Sequence, residues 1–203
     1  MNILLVDDHT IFAASLSAAL EEYDEIQHFI SAQDTENLEE LILKNRIDIV
    51  LMDINLGKDS GSDGLEAAAL LHTHLPDIKI VILTGYDLPV YRYEAKKNGL
   101  RGFLNKSIRP EALVRVLSDV YNGKTCFPAE NVSAVPEELT AAEKKILSLL
   151  CSGKKRRDIA AELFISERTL SNHIQHIFEK LDVSSTVEAV TKAIQAGYIP
   201  PVM

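Results

Sequence analysis

The sequence predicts two successive folds: a five-stranded, doubly wound parallel α/β domain, then a small all-α domain of four helices with a helix-turn-helix pattern. Three observations predict them. Over the first 122 residues short apolar runs alternate with helical patterns, from 122 to 138 the periodicity lapses, and from 139 onward every pattern is helical. Strands that alternate with helices imply a parallel sheet covered on both faces, and such sheets place their sites beyond the carboxyl ends of the strands. The division that follows is a first domain over 1–121, a linker over 122–138 and a second domain over 139–203.

Each element has its own signal. Ile3–Val6 is a buried-strand run, and Phe12, Leu16 and Leu20 then recur at helical spacing. Ile26–Ile30 is a weaker strand, followed by Leu38, Leu41 and Ile42 at helical spacing. Ile47–Met52 is apolar save Asp48, and Leu65–Leu75 reads as a helix rich in Ala and Leu. Ile78–Leu83 is the clearest strand, β-branched and apolar. A fourth helix lies between Pro89 and Asn98, closed by Gly99, and Gly102–Leu104 is a short last strand. Pro110, well placed at a first helical turn, opens a helix that runs to Tyr121. After the linker, Thr140-Ala-Ala-Glu143 is a capping-box pattern ahead of Ile146, Leu147, Leu149 and Leu150. Arg157–Leu163 is a short second helix, Ser166 caps a third running to Leu181, and Ser185-Thr-Val-Glu188 opens a fourth that Gly197 closes.

Composition narrows the class. Apolar residues make up 46% and charged residues 25% of the 203 positions, ordinary for a globular chain. The first residues carry no basic leader, and no stretch reaches the roughly 18 apolar residues of a membrane span; a cytoplasmic protein with no membrane partner is expected. Cys126 and Cys151 stand in separate contexts, so a disulfide framework is not expected. The net charge of −9 argues against nucleic acid as a single number, but it is unevenly placed. Residues 1–122 hold 11 Lys and Arg against 20 Asp and Glu, whereas 139–203 hold 9 against 7. Phosphates would be met by the second part.

Asp7 and Asp8 follow the first strand and Asp53 follows the third. In neighbouring parallel strands these would gather three carboxylates at one mouth, where they repel each other unless a cation joins them. Mg²⁺ suits such oxygen ligands. Thr84 ends the fourth strand and Lys106 follows the fifth, adding a hydroxyl and a fixed positive charge at the same rim. Singly, each has an ordinary use as a cap, a turn residue or a solvated charge. Together, at the ends of four strands in order, they suit phosphoryl transfer to a carboxylate, with positive charge neutralising the phosphoryl oxygens. His9 reads as a loop residue rather than a base.

Val6-Asp7-Asp8-His9, Leu51-Met52-Asp53-Ile54, Leu83-Thr84-Gly85 and Phe103-Leu104-Asn105-Lys106 resemble the CheY-like receiver domains over residues 1 to about 121. The resemblance implies that Asp53 is the phosphoacceptor, served by a sensor histidine kinase. It also implies a Mg²⁺ site of Asp7, Asp8, Asp53 and the Asn55 backbone carbonyl, with Thr84 and Lys106 on the phosphoryl oxygens. Phe103 occupies the switch position, an aromatic that reorients when Thr84 is drawn inward. The chain departs from that pattern twice. The stretch between Asp53 and Asp63 is about three residues longer than usual, with Gly57 in place of the customary proline, and Ser107 stands where many receivers have proline. Neither change removes a reacting group.

Residues 139–199 resemble the LuxR-type helix-turn-helix of the NarL/FixJ response regulators, through Leu139-Thr140-Ala141-Ala142-Glu143, Asp158-Ile159-Ala160, Leu163-Phe164-Ile165-Ser166, Asn172-His173 and Lys180-Leu181. The expected function is therefore a phosphorylation-controlled transcriptional regulator, not an enzyme. The resemblance implies base reading by Ser171, Asn172 and Gln175. Asn and Gln can bond adenine bidentately. Thr169 and His173 resemble phosphate contacts, and Lys154, Lys155, Arg156 and Arg157 form a basic run suited to the DNA backbone, or alternatively a solvated helix start. Many relatives carry lysines on the reading face, and their absence here implies weaker binding by a single copy. Val187, Val190 and Ile194 on the last helix resemble a dimer face, with core packing as the competing use; a homodimer would favour an inverted-repeat site in double-stranded DNA.

Rival readings are weaker. A Mg²⁺-dependent phosphatase with a strand-end Asp needs a second aspartate two residues on, and position 55 is Asn. A receiver fold kept only for dimerisation would not need Asp7, Asp8, Asp53, Thr84 and Lys106 intact. A ligand-sensing LuxR-type regulator is at odds with the receiver-like first half.

Overall fold

A computed structural model describes residues 1–56, 64–85, 87–128 and 139–199. The chain divides into two compact units, one carrying the sheet and one carrying the last helices, and each is described by itself.

In the first unit, β1 (Asn2–Val6), β2 (His28–Ala32), β3 (Ile49–Met52), β4 (Lys79–Thr84) and β5 (Gly102–Asn105) form one sheet in the order β2-β1-β3-β4-β5. All pairings are parallel. Between the strands run α1 (Thr10–Leu20), α2 (Leu38–Asn45), α3 (Gly64–His74) and α4 (Pro89–Lys97), and α5 (Pro110–Tyr121) follows β5. Side chains alternate across a strand, so each strand feeds two cores. Leu4, Val6, Val50, Met52, Ile80, Ile82 and Phe103 pack on one face with Leu38 and Ile42 of α2, Leu65, Ala68 and Leu71 of α3 and Ala95 of α4. Ile3, Leu5, Ile49, Leu51, Val81 and Leu83 pack on the other with Leu16 and Leu20 of α1 and Leu113, Leu117 and Val120 of α5. This double burial is why β3 and β4 read as unbroken apolar runs.

The strands expected at Ile26–Ile30 and Ile47–Met52 begin two residues later. Ile26 donates its N–H to the Tyr23 carbonyl in a turn, and pairing with β1 starts at His28 opposite Asn2. The lapse of helical pattern after Tyr121 does not release the chain at once. Cys126 forms a bridge with Gly102, its N–H donating to Arg101 and its carbonyl accepting from Phe103. A short length of what reads as linker therefore lies along the outer edge of β5. The lengthened stretch that includes Gly57 lies outside the described residues, as do 129–138 of the linker and 200–203. No cis peptide bond occurs among the described residues, so the bond to Ser107 is trans.

The second unit consists of α6 (Ala141–Cys151), α7 (Arg156–Glu162), α8 (Glu167–Leu181) and α9 (Thr186–Ala196). The Thr140 capping box forms in full: its side chain accepts from Glu143 N–H while the Glu143 carboxylate accepts from Thr140 N–H at 2.7 Å. At α9 the Ser185 hydroxyl accepts from Glu188 N–H, but the Glu188 carboxylate reaches one residue further, to Ser184 N–H at 2.9 Å. Ile146, Leu147, Ile159, Leu170, Ile174, Ile177, Leu181, Ala189 and Ala193 make the core.

Candidate metal centre and nucleic-acid interface

The strand order reverses direction between β1 and β3, and a crevice opens at such a point beyond the carboxyl ends. The ladder continues one residue past each strand into this crevice. Asp7 N–H donates to Ala32 O, Asp53 N–H to Val6 O and Lys106 N–H to Thr84 O, each at 2.9 Å. The backbone that carries these candidate site residues is thus held by the sheet's own ladder. Gly64 braces the same rim: a Cβ there would lie 1.9 Å from the Asp53 carbonyl oxygen, so only glycine fits.

Asp7 and Asp53 are 1% and 2% exposed, and Thr84 is fully buried. Lys106 Nζ lies 2.7 Å from Asp7 Oδ2 and 2.7 Å from Asp53 Oδ2, with its ammonium above the Phe12 ring at 4.9 Å. Burial pushes the Asp53 carboxyl above the ordinary range; the Lys106 hydrogen bond and charge oppose this, the Asp7 charge adds to it, and the Thr84 hydroxyl favours the ionised form. For Lys106, burial acts to lower the pKa, but bonding to Asp53 and Asp7 outweighs it, so the amine stays firmly protonated. One lysine serves two buried carboxylates, and among the described residues nothing donates a hydrogen bond to Asp53 Oδ1.

Ligand atoms of Asp7, Asp8, His9 and Asp53 lie within 4.8 Å of one another. Three carboxylates around an orphaned buried oxygen fit a hard divalent cation. Sequence reasoning set His9 aside, yet its Nδ1 is 2.8 Å from Asp8 Oδ1 and 3.2 Å from Asp7 Oδ1. Adjacency to the aspartates was the available signal. Asn55 is exposed two residues beyond Asp53. Phe103 is fully buried among Ala95, Leu100 and their neighbours, so Thr84 and Phe103, the two residues expected to act as a switch, both face inward.

In the second unit α8 buries Leu170, Ile174, Ile177 and Leu181 and turns Thr169, Ser171, Asn172 and Gln175 to solvent, with His173 half-buried. Several of these side chains have partners. Ser166 Oγ, which caps α8, lies 2.9 Å from Thr169 Oγ1, Ser171 Oγ donates to Glu167 O, and Gln175 Nε2 donates to Glu179 Oε1 at 3.1 Å. In the basic run Lys154 Nζ pairs with Glu162 at 2.6 Å, while Lys155, Arg156 and Arg157 are exposed. Of the expected dimer face, Val187 is 77% exposed, whereas Val190 and Ile194 pack against the core. Two features lay beyond sequence reasoning. Glu143 bonds Lys180 across α6 and α8 at 2.9 Å, and Phe164, in the turn before α8, is almost wholly exposed.

Two family models match the chain: the response regulator receiver domain over residues 3–118, and the bacterial regulatory proteins of the luxR family over 137–193. The transcriptional regulatory protein DesR of Bacillus subtilis is 31% identical over 201 residues, covering 98% of each chain. The oxygen regulatory protein NreC of Staphylococcus haemolyticus is 28% identical, covering 96% of this chain and 97% of its own. Among solved structures, the response regulator ChrA of a heme-sensing two-component system is 31% identical with a TM-score of 0.53 over 98% of both chains. RcsB in complex with DNA, 23% identical and covering 96% of this chain and 98% of its own, shares the fold with a TM-score of 0.67. The chain belongs to the NarL/FixJ family of response regulators, transcription regulators that join a receiver domain to a LuxR-type DNA-binding domain.

Proposed function

We propose that Asp53 accepts a phosphoryl group from a sensor histidine kinase and that this modification controls DNA binding by the helix-turn-helix. The carrying observation is Lys106 Nζ at 2.7 Å from both Asp53 and Asp7, at the mouth of the sheet. An Asp53 oxygen bonds to phosphorus as the phosphorus–nitrogen bond to the donor imidazole breaks, its electron pair returning to nitrogen. Lys106 then turns from the carboxylates to the new phosphoryl oxygens, and the Thr84 hydroxyl donates to the same group. Asp7, Asp8, Asp53 and the Asn55 carbonyl would hold Mg²⁺, which when bound neutralises charge on the phosphoryl oxygens.

The proposed division is a receiver over 1–121, a linker over 122–138 and a DNA-binding domain over 139–203, the linker's first residues lying along β5. Asn172, Ser171 and Gln175 read bases, while Lys154, Lys155, Arg157, Thr169 and His173 meet phosphates. Val187, with the flanks of Val190 and Ile194, pairs two copies on an inverted repeat in double-stranded DNA. Among the described residues no helix is long and apolar enough to cross a membrane; we place the protein in the cytoplasm. Incubation with acetyl phosphate and Mg²⁺ tests the central assignment by intact-mass measurement. One alkali-labile, hydroxylamine-labile phosphoryl group is expected on the native chain and none on Asp53→Ala; undiminished uptake by the variant would remove Asp53 from this role.

A further inference from the structure

Phe164 is 97% exposed and its backbone is left-handed, with φ at 54°. It closes α7: Ile165 N–H donates to Ala160 O at 3.0 Å and Phe164 N–H to Ala161 O at 3.2 Å. This pair of bonds ends a helix through a left-handed residue, a place that favours glycine or asparagine because a Cβ there crowds the next carbonyl. Phenylalanine in that conformation is a genuine outlier. A lone exposed apolar residue needs no explanation, but a strained one does. The neighbours have their reasons in the fold, since Leu163 and Ile165 pack against the core. The Phe164 ring lies in solvent, so the packing of its own unit does not account for it.

Its position says where. Ser166, two residues on, caps α8, whose open face carries Thr169, Ser171, Asn172 and Gln175. In a helix-turn-helix the second helix enters the groove by its N-terminal residues while the first crosses the backbone. The turn between them therefore lies at the rim, where the sugar–phosphate strand passes. The helices it joins bring exposed Lys155, Arg156, Arg157 and Arg168 for that strand's charge. We propose that Phe164 is a DNA-contacting residue whose ring packs on deoxyribose at the rim of the groove that α8 reads. This rests on the DNA-binding reading above and extends that interface to an uncharged, sequence-independent contact.

The test uses the full chain with beryllofluoride and Mg²⁺, titrated by fluorescence anisotropy onto a selected inverted-repeat duplex and a mixed-sequence duplex over a salt series. Phe164→Gly should unfold at the native temperature or above it, because the strain is relieved and no buried contact is lost. It should bind both duplexes about fivefold more weakly, the effect of uncovering part of a phenyl ring. The slope against salt should not change, since no counterion is involved. Phe164→Asn should behave alike, and Phe164→Tyr should stay within about twofold of native. Native affinity in Phe164→Gly would overturn the proposal, and a simultaneous loss of transcription would then assign the ring to a protein partner. A lower unfolding temperature in both Gly and Asn variants would overturn it too, by giving the ring a role in the fold. A loss confined to one duplex would overturn the sugar contact. If the native chain bound neither duplex, the DNA-binding reading itself would fall.

Discussion

Lys106 places a single ammonium 2.7 Å from both Asp7 and Asp53, so removing either side of this contact has its own consequence. The folded pKa of Asp53 is raised, so the stability it contributes is present at low pH and is lost as pH rises through that value. Above that value the buried carboxylate opposes folding. Asp53→Asn should therefore raise the melting temperature of the metal-free protein by roughly 2–5 °C at pH 7, and added Mg²⁺ should raise the native value more than the variant's. A calorimetric scan with and without Mg²⁺ reads both. Lys106→Ala leaves two buried carboxylates uncompensated and should cost about 3 kcal/mol without metal, much of it restored by Mg²⁺. The variant should still take up phosphoryl from acetyl phosphate yet gain no DNA affinity from it. Asp7, Asp8, Asp53, Thr84 and Lys106 were legible in the sequence because strand ends are punctuated by polarity. Phe164 and the His9 contacts were not: a backbone dihedral and a side-chain rotamer leave no trace in apolar periodicity.

Helices show the same split between what patterns reveal and what packing adds. The Thr140 box was legible, but the Lys180 ammonium that reaches Glu143 from 37 residues away was not, because spacing says nothing of which helix faces meet. Burial pushes the Glu143 carboxyl up, and Lys180 with the Thr140 N–H and hydroxyl outweigh this and hold it below the usual glutamate range. A depressed carboxyl contributes stability above its unfolded pKa and loses it as pH falls through the folded one. Glu143→Gln should accordingly cost about 2 kcal/mol near neutrality, and urea titrations of native and variant should converge in acid. At α3, Gly64→Ala places a methyl carbon inside the Asp53 carbonyl contact. About 3 kcal/mol of stability should be lost, with weaker Mg²⁺ binding beside it, since α3 must retreat from the rim. Strand starts were less legible than cores, as turn bonds at Ile26 and not hydropathy decide where β2 begins.

Across the whole molecule, charge and shape must cooperate. Adding phosphate to an already acidic receiver cannot draw DNA closer electrostatically, so activation has to act by shifting populations. The beryllofluoride-bound chain should show both a larger dimer fraction and a higher affinity for its inverted repeat, measured by sedimentation and anisotropy. Val187→Asp should remove the first and most of the second. Asn172→Ala should erase sequence preference, whereas Lys155→Ala should weaken binding to every duplex and flatten the salt slope. Equal losses on all duplexes from both variants would displace the assigned reading face. The edge of β5 bears on how such a chain can be taken apart. A receiver trimmed after Tyr121, where its last helix ends, would shed Cys126 and bare the Arg101–Phe103 main chain, which is an invitation to strand addition and precipitation. Gly102, where a Cβ would stand 2.8 Å from the Cys126 carbonyl, is shaped to that cover. Pro128 then offers no donor with which to prolong it. The practical border of the receiver is therefore a hem sewn on after the last helix, and a fragment cut inside the hem should fray into aggregates while one cut outside it stays in solution.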